Sequence, residues 1–151
     1  MKKLFFILVF QLVLLHAYSQ GTAVNDRVVQ YNMADNKLGI EGFDPVAYFE
    51  DSKALKGKPE FSVLYEGIKY RFTSAAHQEL FKKQPACYEP QYGGWCAYAM
   101  GSDGSKVEVD PETFKIADGK LYLFYNKFFN NTLKSWNKNE IAPRSLIINY
   151  T

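Results

Sequence analysis

The sequence predicts a small α+β domain in which a small antiparallel β-sheet, built from hairpins, packs with two or three short helices. Two pairs of β-rich segments support this prediction, at 61–65 with 68–72 and at 114–116 with 121–124. Glu66-Gly67 separates the first pair and Asp118-Gly119 lies in the gap of the second, and short glycine-containing turns join antiparallel strands. The pattern therefore indicates two hairpins.

Capping residues predict the first two helices. Asp44-Pro45 is typical of a helix N-cap followed by a first-turn proline and predicts a short helix over about 45–51. Ser74 has the side chain to cap a second helix that ends near Lys83. We expect Leu80 and Phe81 of this helix to face the core, with His77 on the same side.

The C-terminal part predicts a third helix, capped at Asn126 and ended by Pro143. In that interpretation three apolar residues lie on one stripe of the helix. Residues 146–150 then add a short edge strand. The three stripe residues are Phe129, Leu133 and Trp136.

The N-terminus has the pattern of a cleavable signal peptide at residues 1–19. Lys2 and Lys3 precede an apolar run of roughly a dozen residues, which is shorter than the about 20 that span a bilayer. Small side chains at Ala17 and Ser19 favour cleavage after Ser19. We therefore expect an exported protein, periplasmic or secreted, without stable membrane insertion. Its parts are a lead-in segment at 20–38 that is partly disordered, a domain at 39–137 and a C-terminal extension at 138–151.

Charge limits the partners of the mature chain. Removal of residues 1–19 takes away two of the 18 basic residues and none of the 16 acidic ones, which leaves 16 of each. A neutral chain has no overall electrostatic attraction for nucleic acid or an anionic membrane. We therefore expect no nucleic-acid partner, and the oligomeric state stays open.

Four segments together resemble the YHS domain family, in the form found in exported bacterial proteins. They occur in the expected order and span about residues 39–137. The segments are GFDPVAYF at 42–49, YRFTS at 70–74, PQYGGWCAY at 90–98 and DGKLYL at 118–123.

The resemblance implies a binding function, since related YHS and TRASH-like modules are thought to hold metal through a Phe-Cys-Ser-x-x-Cys pattern. Here residues 72–77 read FTSAAH, with Thr73 at the first cysteine position and His77 at the second. The usual cysteine site therefore does not carry over, although His77 can coordinate. Its place in the first helical turn favours a neutral imidazole.

Few residues could form a metal site that differs from the family's cysteine pattern. Cys96, His77 and Met100 form a candidate set for copper or zinc, with sulfur ligands favouring copper(I). Core packing or a satisfied histidine explains the same residues. Cys87 lies nine positions before Cys96, and a disulfide between them is an open alternative in an oxidising compartment.

An aromatic set is a candidate for either a ligand pocket or the core. We expect Trp95 to belong to the core, because it lies in an apolar segment after two glycines. The set consists of Tyr48, Tyr70, Tyr92, Trp95 and Tyr98.

Three functions follow from these observations. The first is an exported, non-enzymatic binding module for a transition metal such as copper, or for another small ligand. The second is a thiol-dependent enzyme that uses Cys96 with His77 as base, which requires the two side chains within hydrogen-bond reach. The third is a purely structural domain linked by a disulfide. The common catalytic motifs are absent from the sequence.

Overall fold

The computed structural model describes residues 26–34 and 37–139. The predicted signal peptide at 1–19, Pro143 and the predicted edge strand at 146–150 lie outside the described residues. No helix in the two described ranges is long and apolar enough to cross a membrane.

The predicted α+β class is confirmed. The described part contains six short helices, rather than two or three, and eight strands. The helices are α1 (26–30), α2 (Ala47–Glu50), α3 (Ala75–Lys83), α4 (Pro85–Tyr88), α5 (Ala97–Ser102) and α6 (Thr132–Asn139). The strands are β1 (Met33–Ala34), β2 (Leu38–Gly39), β3 (Lys58–Tyr65), β4 (Ile68–Phe72), β5 (Asp110–Ala117), β6 (Lys120–Phe124), β7 (Asn126–Lys127) and β8 (Asn130–Asn131).

Both predicted hairpins form. Strands β3 and β4 are antiparallel with Tyr65 opposite Ile68, and β5 and β6 are antiparallel with Ala117 opposite Lys120. Both residues of each turn have positive φ, as the type I′ turn of a two-residue hairpin requires. The larger sheet has the strand order β1-β2-β4-β3. Its β2 strand is parallel to β4, so this sheet is mixed, whereas the sequence predicts an antiparallel sheet.

The hydrophobic core lies between the larger sheet, α3 and the β5–β6 hairpin. Phe81 of α3 is fully buried and contacts the rings of Tyr70 and Phe72 on β4. A smaller cluster joins Phe124 of β6 to Trp136 of α6. The predicted inward face of α3 is therefore confirmed.

The predicted helix cap at Asn126 is wrong. Asn126 begins strand β7, and helix α6 starts six residues later at Thr132. The backbone N–H and the hydroxyl of Thr132 both donate to the carbonyl of Tyr125, each at 3.0 Å, which closes the chain between them into the β7–β8 hairpin. Phe129 is fully exposed as a result, whereas Trp136 packs in the core as predicted.

The described part of the lead-in segment is hydrogen-bonded to the domain. The N–H of Asn32 donates to the carbonyl of Gly93 at 2.9 Å, and the indole N–H of Trp95 donates to the carbonyl of Gln30 at 2.7 Å. Gly93 has a φ of 62°, and a Cβ there would lie 3.3 Å from Tyr31. A larger residue would therefore obstruct this docking.

Candidate functional site

The candidate site is centred on Asp44, a carboxylate that is fully buried. Its Oδ1 atom accepts hydrogen bonds from the backbone N–H groups of Val46 at 2.9 Å and Ala47 at 3.3 Å. These bonds satisfy amide groups at the start of α2, as expected of the predicted N-cap.

The second oxygen of Asp44 binds residues about thirty positions later in the chain. Oδ2 accepts from the backbone N–H of Thr73 at 2.7 Å and from its hydroxyl at 2.8 Å. Nδ1 of His77 lies 2.7 Å from the same oxygen. One carboxylate therefore joins the start of α2 to the end of β4 and the first turn of α3.

His77 is held in place by its helix as well as by Asp44. Ser74 caps α3 as predicted, since its hydroxyl accepts from the N–H of His77 at 3.2 Å. An ionised carboxylate is only an acceptor, so we assign the hydrogen on Nδ1 of the ring from this contact. In the neutral imidazole the lone pair then lies on Nε2.

Nε2 of His77 is directed toward a second carboxylate. Oδ2 of Asp51, at the end of α2, lies 3.8 Å from Nε2. The side chain of His77 is 15% exposed and that of Asp51 is 41% exposed, whereas that of Asp44 is inaccessible to solvent. The imidazole thus has one edge fixed in the interior and the other edge near solvent.

Thr73 and His77, the two positions that the sequence analysis compared with the YHS cysteine pattern, are in contact. Oγ1 of Thr73 lies 3.2 Å from Nδ1 of His77. Both side chains are also hydrogen-bonded to Oδ2 of Asp44. Asp44, Thr73 and His77 therefore form one cluster that combines a carboxylate, a hydroxyl and an imidazole.

In the predicted set of Cys96, His77 and Met100, no polar contact joins Cys96 to His77 among the described residues. Cys96 is fully buried at the start of α5, where its sulfur accepts from the N–H of Tyr125 at 3.4 Å and lies 3.4 Å from Oγ1 of Thr132. Met100 is buried in the same helix. The polar contacts of the His77 ring are with Asp44, Thr73 and Asp51 instead.

The described residues do not fit a closed metal centre. Within 26–34 and 37–139 no group of three or more histidine, cysteine, aspartate or glutamate residues could hold a metal ion. A structural zinc site needs four protein ligands. Any metal bound at His77 would therefore keep much of its shell as water or other small ligands.

The two cysteines are not joined by a disulfide. Both are free in the structure, with Cys87 exposed on α4 and Cys96 buried. The sulfur of Cys87 lies 3.6 Å from the side-chain oxygen of Gln84. The two sulfurs are thus held by different parts of the fold, and the nine-residue spacing did not reveal this.

The predicted aromatic set does not form one unit. The hydroxyl of Tyr48, which is buried, donates to the carbonyl of Pro111 at 3.0 Å. Trp95 is only half-buried and lies outside the two core clusters, so its assignment to the core is wrong. Its indole N–H binds the lead-in segment instead, at the carbonyl of Gln30. Tyr92 and Tyr98 are half-buried and pack at the edge of the core.

Sequence reasoning missed a second buried carboxylate, Glu89. Its Oε1 accepts from the hydroxyl of Tyr70 at 2.6 Å and is paired with the guanidinium of Arg27 in α1. Burial, reinforced by the charge of Glu89, holds the pKa of Tyr70 well above its usual range. Arg27 and Glu89 are 62 positions apart in the chain, so no local sequence pattern indicates their contact.

Comparison with protein-family models, curated proteins and solved structures finds no match to this chain.

Proposed function

We propose that this chain is an exported binding module of the YHS kind, rather than an enzyme, that takes a divalent transition-metal ion such as zinc or copper at His77 and Asp51. One observation carries the proposal: Nδ1 of His77 lies 2.7 Å from the buried Asp44, so Nε2 is the nitrogen left to coordinate, beside the half-exposed Asp51. The signal peptide pattern and the four family-like segments support export and a binding role.

The contact between Asp44 and His77 is the arrangement that prepares a histidine for a metal. Metal-binding histidines commonly donate their second ring N–H to a carboxylate, which fixes the tautomer and the ring orientation and makes the other nitrogen more basic. Asp44 is itself fixed by donors from Val46, Ala47 and Thr73. The imidazole is therefore oriented before any ligand arrives.

Asp51 supplies the second donor. Two N or O ligands that each bind a tetrahedral zinc ion at about 2.0 to 2.2 Å are about 3.3 to 3.6 Å apart. Nε2 of His77 and Oδ2 of Asp51 are 3.8 Å apart, so binding requires a small inward movement of the Asp51 side chain, which is 41% exposed. Two protein ligands make an exchangeable site, in keeping with uptake and release of the ion.

No contact in the described residues favours the thiol-dependent enzyme. The sulfur of Cys96 is inaccessible and is bound to Tyr125 and Thr132, and it makes no polar contact with His77. A nucleophile needs access to substrate and an adjacent base.

Calorimetric titration of zinc and copper(II) into the purified exported protein tests the proposal. We expect one saturable site, lost in His77→Gln and weakened at least about tenfold in Asp51→Asn. Thr73→Val, which removes a donor to Asp44, is expected to weaken binding less than either. Cys96→Ser is the matched control, because its sulfur lies outside the proposed site. Binding that survives His77→Gln, or that is lost in Cys96→Ser while the fold is retained, would contradict it.

A further inference from the structure

Two adjacent phenylalanines project into solvent at the tip of the β7–β8 hairpin. The side chains of Phe128 and Phe129 have relative exposures of 90% and 111%. They are the whole loop between the paired residues Lys127 and Asn130. Large apolar side chains this exposed on a convex tip contribute nothing to the core.

The backbone at this tip is unfavourable for phenylalanine. Phe128 has a φ of 52° and Phe129 a φ of 65°, in the left-handed region that bulky residues seldom occupy. A two-residue hairpin loop with positive φ at both positions favours Asn-Gly. Neither turn chemistry nor packing accounts for the two phenylalanines, and such strained positions often have a function.

Charge is distributed unevenly along the mature chain. Residues 114–139 contain five lysines and one aspartate, a net charge of +4, whereas residues 20–113 contain 10 basic and 14 acidic residues, a net charge of −4. The neutral total hides this division. The phenylalanine tip lies within the basic segment, and two acidic residues from outside this segment, Glu108 and Asp110, contact β7.

Several of these lysines flank the tip. Lys127 is the residue before it, and the only acidic group in salt-bridge range in the described part is the exposed Glu108, 3.5 Å away. Such an exposed pair is weak. Lys134 and Lys138 are exposed and are one turn apart on α6, the helix that follows β8, whose Trp136 faces the core. The outward side of α6 therefore adds positive charge next to the hairpin.

We propose that this surface docks the protein peripherally on an anionic lipid membrane, with Phe128 and Phe129 inserted at the level of the headgroups. Phenylalanine side chains bury at the boundary between lipid headgroups and acyl chains, and basic residues near an anionic surface add attraction. The charge of the basic segment selects lipid of opposite charge. The insertion involves a hairpin tip only, and it is independent of the site at His77.

Sedimentation with vesicles tests the proposal, using the purified exported protein with vesicles of phosphatidylglycerol and phosphatidylcholine or of phosphatidylcholine alone. We expect binding to the anionic vesicles that weakens with salt. The double substitution Phe128→Asn/Phe129→Gly removes the tip side chains. It should lower the partition coefficient of the protein onto anionic vesicles by roughly tenfold for each phenylalanine. Lys127→Ala should lower it by roughly fivefold. Leu64→Ser, at an exposed apolar residue on β3, is the matched control and should bind like the wild type.

The Asn-Gly variant also separates function from folding. Because Asn-Gly suits the turn, this variant should melt at a temperature equal to or above that of the wild type while it loses vesicle binding. Three results would overturn the proposal: no binding of the wild type to anionic vesicles, equal binding of wild type and variant, or loss in the variant of a dimer that forms without lipid. The last result would show that the hairpin tip binds a second copy of the chain and not a membrane.

Discussion

Nδ1 of His77 lies 2.7 Å from Oδ2 of Asp44, and this contact joins the start of α2 to a residue of α3 that comes 33 positions after Asp44. The same carboxylate caps α2 through its other oxygen. Asp44 therefore stabilises the fold and also orients the imidazole, so one side chain serves both the structure and the proposed function.

Substitution of Asp44 should destabilise the protein markedly. In Asp44→Asn an amide NH₂ replaces one carboxylate oxygen, so either the amides of α2 or the donors on Thr73 and His77 lose their acceptor. Hydrogen bonds to a charged group contribute about 1.5 to 3 kcal/mol each, and we expect a loss of about 2 to 3 kcal/mol in the free energy of unfolding.

Urea denaturation measures this loss, and Asp51→Asn is the matched control. Asp51 is 41% exposed, and its substitution should change the free energy of unfolding by no more than about 0.5 kcal/mol. Equal effects of the two substitutions would show that Asp44 does not hold the site together.

The two hairpins and two helix caps could be predicted because their signals are local. Glu66-Gly67 and Asp118-Gly119 specify turns, and Ser74 and Asp44 cap helices within three residues. Sequence reasoning failed at the C-terminal hairpin because its loop contains no glycine: the turn at 128–129 consists of two phenylalanines.

The partners of the site were less predictable than its histidine. The family-like pattern indicated Thr73 and His77, which are in contact. Nothing local showed that the second oxygen of Asp44 reaches them, because that contact depends on how α2 packs against β4. Only its chemistry makes Cys96 a candidate partner of His77, and in the fold the sulfur of Cys96 contacts Tyr125 and Thr132 instead.

The two thiols should react at very different rates. Cys87 is exposed, whereas Cys96 is fully buried. Because a thiol must be accessible to react, a thiol reagent should modify one cysteine rapidly in the native protein and the second only after denaturation. Peptide mapping identifies the modified residue. Failure to detect any thiol in denatured, unreduced protein would instead indicate the disulfide.

Trp95→Phe should loosen the lead-in segment while leaving the core intact. The substitution keeps a ring but removes the indole donor to the carbonyl of Gln30, a hydrogen bond of about 1 kcal/mol. We expect faster hydrogen exchange at the N–H of Asn32, which is bound to Gly93, and unchanged exchange at the N–H of Val46. Uniformly faster exchange at both amides would place Trp95 in the core after all.

Buried tyrosines should make the fold sensitive to alkali. Burial raises the pKa of Tyr48, with a contribution from Asp110, above its unfolded value of about 10. The folded state thus favours the protonated phenol, and the stability this provides is present below pH 10 and is lost as the pH rises above it.

The size of the Tyr48 effect follows from linkage. One such tyrosine should lower the free energy of unfolding by about 1.4 kcal/mol between pH 9 and pH 11. Urea denaturation of wild type and Tyr48→Phe at the two pH values checks this. The decrease in the free energy of unfolding should be about 1.4 kcal/mol smaller in the variant than in the wild type. An identical decrease in the two proteins would show that the phenol of Tyr48 does not contribute.

NMR of the imidazole nitrogens of His77 tests the central claim most directly, because His77 is the only histidine after residue 19. In ¹⁵N-labelled protein that starts at Gln20, the metal-free spectrum should show hydrogen on Nδ1 and a lone pair on Nε2. Addition of zinc should shift Nε2 saturably and leave Nδ1 hydrogen-bonded to Asp44, and Asp51→Asn should weaken the shift. An Nε2 resonance that does not respond to zinc, or a lone pair on Nδ1, would contradict the account.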